Sequence, residues 1–78
     1  MRNVMSLGSR IKAVRKAKKM TQEELAEIIG ISVNYLGAIE RGDKLPRLVT
    51  FIRIANALEI SSDYLLSEEL HNKKENMK

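Results

Sequence analysis

Cysteine is absent from this 78-residue chain and histidine occurs once, which excludes disulfide staples, Cys-based zinc sites and His-rich metal sites. The one histidine, His71, lies in the polar stretch SEELHNKKENMK, away from any partner that could complete a catalytic triad. There is no GxGxxG, no P-loop and no other glycine run that could cradle phosphates. These absences leave no catalytic set, so the chain is expected to be no enzyme and to need no metal or cofactor. The opening MRNVMSLGSR lacks both a seven-residue apolar stretch and a cleavage-site pattern, and no apolar run is long enough to cross a bilayer. A soluble, cytoplasmic protein is expected. Proline occurs once and aromatics make up 4%, without the alternation that marks strands.

What the chain does have is uneven positive charge. Of a formal net +4, residues 1–20 contribute +7 through Arg2, Arg10, Lys12, Arg15, Lys16, Lys18 and Lys19. Residues 21–29 return three negative charges through Glu23, Glu24 and Glu27. The asymmetry permits a polyanion partner, although Lys12, Lys16 and Lys19 also suit a solvated helix face.

Apolar residues recur at helical spacing throughout, and the reading is all-α with five helices. The first covers 7–18, with Leu7, Ile11 and Val14 as its inward stripe. Arg15 falls close to that stripe and needs a carboxylate. Thr21 opens the second helix, and Glu24 three residues on completes a capping box. Leu25, Ala26 and Ile29 point inward before Gly30 stops it. The third helix begins after the cap Ser32 and ends at Gly42. Only Gly30 and Ile31 separate the second helix from that cap, so the two helices must cross steeply with the small Ala26 beneath. A fourth helix over 48–58 turns Phe51, Ile54, Ala55 and Leu58 inward, and Ser61 caps a fifth bearing Tyr64, Leu65 and Leu66. The resulting unit spans 1–66, followed by a polar C-terminal tail at 67–78.

The third helix, within ISVNYLGAIERG, places Val33, Asn34, Gly37, Ala38 and Arg41 on the half opposite Leu36, Ile39 and Glu40. A glycine inside a helix costs about 1 kcal/mol against alanine. Gly37 is therefore either a defect tolerated at the surface or a place where something comes close to the backbone.

The run TQEELAEIIGISVNYLGAIERG resembles the helix-turn-helix of the Cro/cI-type (Xre) family of bacterial and phage DNA-binding regulators. Gln22 matches the first motif position, Ala26 the small fifth and Gly30 the turn glycine, with Leu36 and Ile39 as later core positions. GDKLP, FIRIANALEI and SSDYLL extend the resemblance to roughly residues 7–66. It implies a compact five-helix lambda-repressor-like domain with its helix-turn-helix at helices 2 and 3. The third helix then lies in the major groove of double-stranded DNA, and the second crosses the backbone above it.

On that resemblance, Val33, Asn34, Gly37 and Ala38 are candidate base contacts. Asn34 can pair bidentately with adenine, and Val33 or Ala38 can meet a thymine methyl. Gln22, Ser32, Tyr35, Arg41, Lys44 and Arg47 are candidate backbone contacts. For Ser32 capping alone is a sufficient role, and for Tyr35 core packing is. Arg47 stands where many relatives carry a capping Ser or Asp; it cannot cap and its charge opposes the helix dipole, so either phosphate contact or plain exposure accounts for it. Arg15 and Glu40 correspond to a structural ion pair.

A homodimer on a near-palindromic operator, associating through Ile60, Tyr64, Leu65 and Leu66, follows from the family's habit, with repression by promoter occlusion. An antitoxin or a restriction-modification controller fits the same chemistry. A module binding a toxin or another protein co-regulator is the reading from a different class.

Overall fold

The computed structural model describes residues 6–59, which form α1 (Leu7–Ala17), α2 (Gln22–Ile29), α3 (Val33–Arg41) and α4 (Leu48–Leu58). The all-α architecture agrees with the periodicity. The fifth helix expected after Ser61 lies outside the described residues, as do Ile60, Tyr64, Leu65, Leu66 and the tail. Among the described residues the helix count is four rather than five, and the first helix stops one residue before its expected end.

Each helix start shows why it forms there. Ser6 accepts from the Ser9 N–H at 3.1 Å and Ser32 from the Tyr35 N–H at 3.0 Å. The Thr21 hydroxyl accepts from Glu24 N–H at 3.0 Å while the Glu24 carboxylate accepts from Thr21 N–H at 2.8 Å, completing the reciprocal box. α4 alone starts on a residue, Arg47, that makes no side-chain cap bond. At the other ends, Gly30 and Gly42 close α2 and α3 at φ of 78° and 86°, a conformation L side chains resist. The Ile31 N–H then bonds Ala26 O at 3.0 Å and the Asp43 N–H bonds Ala38 O at 2.9 Å.

Burial follows the stripes. Ile11 of α1, Leu25, Ala26 and Ile29 of α2, Leu36 and Ile39 of α3, and Ile54, Ala55 and Leu58 of α4 form one core. Leu7, Val14, Val33, Tyr35 and Phe51 pack around it half-buried. α3 packs on both α1 and α2, and α4 on α2 and α1, so α3 is fixed from two sides.

One contact was invisible in the periodicity. Gly8, in the first turn of α1, meets the end of α3 so closely that a Cβ there would fall on the Ile39 carbonyl oxygen and 2.8 Å from that of Glu40. The absence of a side chain lets α1 lie against the backbone of α3.

Candidate nucleic-acid interface

The α2–α3 unit is held by a carboxylate. Glu40, on the inner side of α3 and 4% exposed, accepts from Arg15 Nε at 2.7 Å and Arg15 Nη2 at 3.0 Å. Arg15 also donates through Nη1 to the Met20 carbonyl at 2.7 Å, tying down the α1–α2 turn. Such a forked, buried pair is geometrically specific, and removing one partner leaves an uncompensated charge costing about 3–5 kcal/mol.

Glu40 has a third donor, which the sequence did not reveal. Gln22 Nε2, at the first position of α2, donates to Glu40 Oε1 at 2.9 Å. A carboxylate offers no proton, so it fixes which end of the amide faces it. Nε2 has two hydrogens, and this bond uses one. The start of α2 and the body of α3 are thus cross-linked at a side chain expected to touch a phosphate.

Among the candidate base contacts, Asn34 is exposed and Val33 half-buried, while Gly37 and Ala38 are buried. Gly37 is covered by side chains: a Cβ on it would stand 3.3 Å from Arg41 Nη1 and 3.9 Å from both Nε2 and Oε1 of Gln22. Ala38 is 8% exposed, and its carbonyl takes up the N–H groups of Asp43 and Lys44.

The candidate backbone contacts fall into two groups. Gln22 and Arg41 both lie against Gly37. Tyr35, Lys44 and Arg47, with Leu45 and Thr50, line a shallow groove between α3 and the start of α4. Ser32 stands apart, exposed and engaged as the cap of α3. Arg41 donates through Nε to Asp43 Oδ2 at 2.9 Å, with both side chains about two-thirds exposed (66% and 62%). Asp43 is a neighbour of the candidate site that sequence reasoning missed, because nothing in the motif singles out the residue after the glycine stop. The loop after α3 thus places Lys44 and the α4-start Arg47 around the Tyr35 groove, while Arg41 stays with Gln22 at Gly37.

Two helices joined through an αL glycine and a capping serine, the second presenting a polar face and fixed by the Arg15–Glu40 pair to α1, define a helix-turn-helix protein. The helix-turn-helix (HTH_3) family model matches residues 11–65, and the chain belongs to that family. It is 48% identical over 62 residues to the HTH-type transcriptional regulator YazB of Bacillus subtilis, covering 80% of this chain and 90% of that one. It is 44% identical over 71 residues to the immunity repressor protein of Bacillus phage phi105, covering 91% of this chain but 49% of the repressor. The fold matches the P22 c2 repressor in its complex with a synthetic operator, at a TM-score of 0.76 and 32% identity over 80% of this chain and 94% of that one. These relatives are transcriptional regulators and repressors, not enzymes. No helix among the described residues is long and apolar enough to cross a membrane.

Proposed function

We propose that this protein binds double-stranded DNA sequence-specifically and represses transcription by occupying promoter DNA. The observation that carries the proposal is the α2–α3 arrangement itself. Gln22 and Arg41 lie against Gly37, Lys44 and Arg47 line the groove beside Tyr35, Asn34 is exposed on α3, and the inner side is locked by Arg15 and Glu40. α3 enters the major groove, where Asn34 reads a base edge with Val33 beside it, while Gly37 and Ala38, buried and with Arg41 and Gln22 against Gly37, underlie that surface rather than form it. Gln22, Ser32, Tyr35, Arg41, Lys44 and Arg47 set register on the phosphates. The immunity repressor and the operator-bound P22 c2 repressor support this assignment.

Two copies act together on a near-palindromic operator, the fifth helix with Ile60, Tyr64, Leu65 and Leu66 supplying the contact. Exposed apolar side chains on α4 support self-association: Leu48 is 73% exposed, with Val49 and Ile52 on the same stripe. Such a regulator acts in the cytoplasm, bound to the nucleoid.

Selection of bound duplexes from a random double-stranded library at near-physiological salt tests the reading. The expected result is an enriched two-fold symmetric motif with half-sites about one helical turn apart, about 34 Å. Absence of any enriched sequence would sink it and turn the search toward a protein partner.

A further inference from the structure

We infer that Gly37 is a positioning residue for Arg41: a side chain there would press on the Arg41 guanidinium, which beside Gly37 joins the Gln22 amide in holding a single DNA phosphate. The inference rests on the DNA-binding reading above and gives one site within it a definite geometry.

Three contacts build the site. A Cβ on Gly37 would lie 3.3 Å from Arg41 Nη1 and 3.9 Å from Gln22 Nε2, so those two nitrogens are no more than about 7 Å apart. Two oxygens of one phosphate, each about 2.8 Å from its donor, span such a gap. The guanidinium is steadied from its far side by Asp43, whose carboxylate takes the Nε proton at 2.9 Å and whose own N–H is anchored to Ala38 O at 2.9 Å. That leaves the Nη1 and Nη2 hydrogens to face a ligand. The amide is steadied by Glu40, which uses one Nε2 hydrogen and leaves the other. Both donors are therefore held before DNA arrives, which lowers the ordering cost of the contact. Arg41 remains two-thirds exposed and open to a phosphate.

This accounts for a glycine inside a nine-residue helix. No backbone atom from outside α3 is among the nearest neighbours of the added Cβ, so alanine at 37 is compatible with the fold and improves helix propensity. What alanine presses on is the guanidinium tip of Arg41, which must give by a few tenths of an ångström. The glycine therefore serves the position of Arg41 rather than the path of the chain.

The experiment measures operator affinity as a function of salt, together with thermal unfolding, for the full chain and its variants, using the duplex selected by the wild type. Gly37→Ala is expected to melt at or above the wild-type temperature while binding several-fold more weakly. Gly37→Met, whose longer side chain presses further on the guanidinium, should lose about as much affinity as Arg41→Ala. Both should lower the slope of log affinity against log salt by about 0.9 per subunit, the signature of one lost phosphate contact. Gly37→Ala combined with Arg41→Ala should bind as Arg41→Ala alone.

If Gly37→Ala costs as much affinity in the Arg41→Ala background as in the wild type, DNA itself approaches Gly37 and the inference is overturned. The same follows if Gly37→Ala binds and titrates with salt as the wild type does. Should Gly37→Met prove unfolded by circular dichroism, the alanine cycle decides. A wild-type chain that selects no duplex defeats the DNA-binding reading itself, and this is seen before any variant is made.

Discussion

At the scale of the residue, two glycines show how differently a missing side chain can be used. Gly37 announces itself in the sequence, because a glycine within a helical pattern demands a reason, and the reason the structure supplies is a pair of polar side chains, Arg41 and Gln22. Gly8 announces nothing, since a glycine in a first turn is unremarkable until α3 is laid against it. Its Cβ would land on backbone oxygens that belong to a helix fixed on two sides, so neither partner can move away cheaply. Gly8→Ala is therefore expected to destabilise by about 1–3 kcal/mol or more despite better helix propensity, lowering Tm by about 4–8 °C per kcal/mol in a domain this small. Thermal and urea unfolding measure it, and an unchanged midpoint would contradict the close approach. The same contrast marks what the sequence could show. Arg15 beside an apolar stripe asks for a carboxylate, and the family pattern supplies Glu40, but the third donor, Gln22, depends on a distance between α2 and α3 that no spacing encodes.

At the scale of the element, helix boundaries were legible because caps are local chemistry. Thr21 with Glu24, Ser32, Gly30 and Gly42 each act within four residues of themselves, and each is found in that role. The exception is equally local. Arg47 sits at the start of α4 with no cap bond and puts a positive charge at the positive end of the helix dipole. If phosphate contact offsets that cost, stability and binding should part at this one position. Arg47→Asp is expected to stabilise the domain by about 1 kcal/mol through a new cap and a favourable dipole interaction. The same change should weaken operator binding by ten-fold or more, since it replaces a cation facing phosphate with an anion. Unfolding and binding measured on one preparation check both halves, and a variant that gains stability with unchanged affinity would make Arg47 an exposed cation only. The apolar side chains of α4 were half legible: Ile54, Ala55 and Leu58 are buried as their spacing requires, whereas Leu48, Val49 and Ile52, at i, i+1 and i+4, form a second apolar stripe that is exposed.

At the scale of the whole molecule, charge separates two assemblies that share every local feature. Of the six residues proposed to face the DNA backbone, Gln22, Ser32 and Tyr35 are neutral, so the counterions released come from Arg41, Lys44 and Arg47. One chain neutralising three phosphates gives a slope of log affinity on log salt near −2.7, and two chains on one operator give about −5. Between 50 and 200 mM salt a monomer then loses about 40-fold in affinity and a dimer about a thousand-fold. The basic stretch at residues 10–19 adds a diffuse attraction that is screened beyond about 10 Å at 0.1 M salt and so raises the association rate more than the slope. Titrating the selected operator with the chain at four or five salt concentrations reads the number of engaged cations directly. A slope of about −5.4 that falls to about −3.6 in Arg41→Ala fits two chains each contributing one such contact. A wild-type slope near −3 means that a single chain is bound, and the half-site, not the palindrome, is then the unit of recognition.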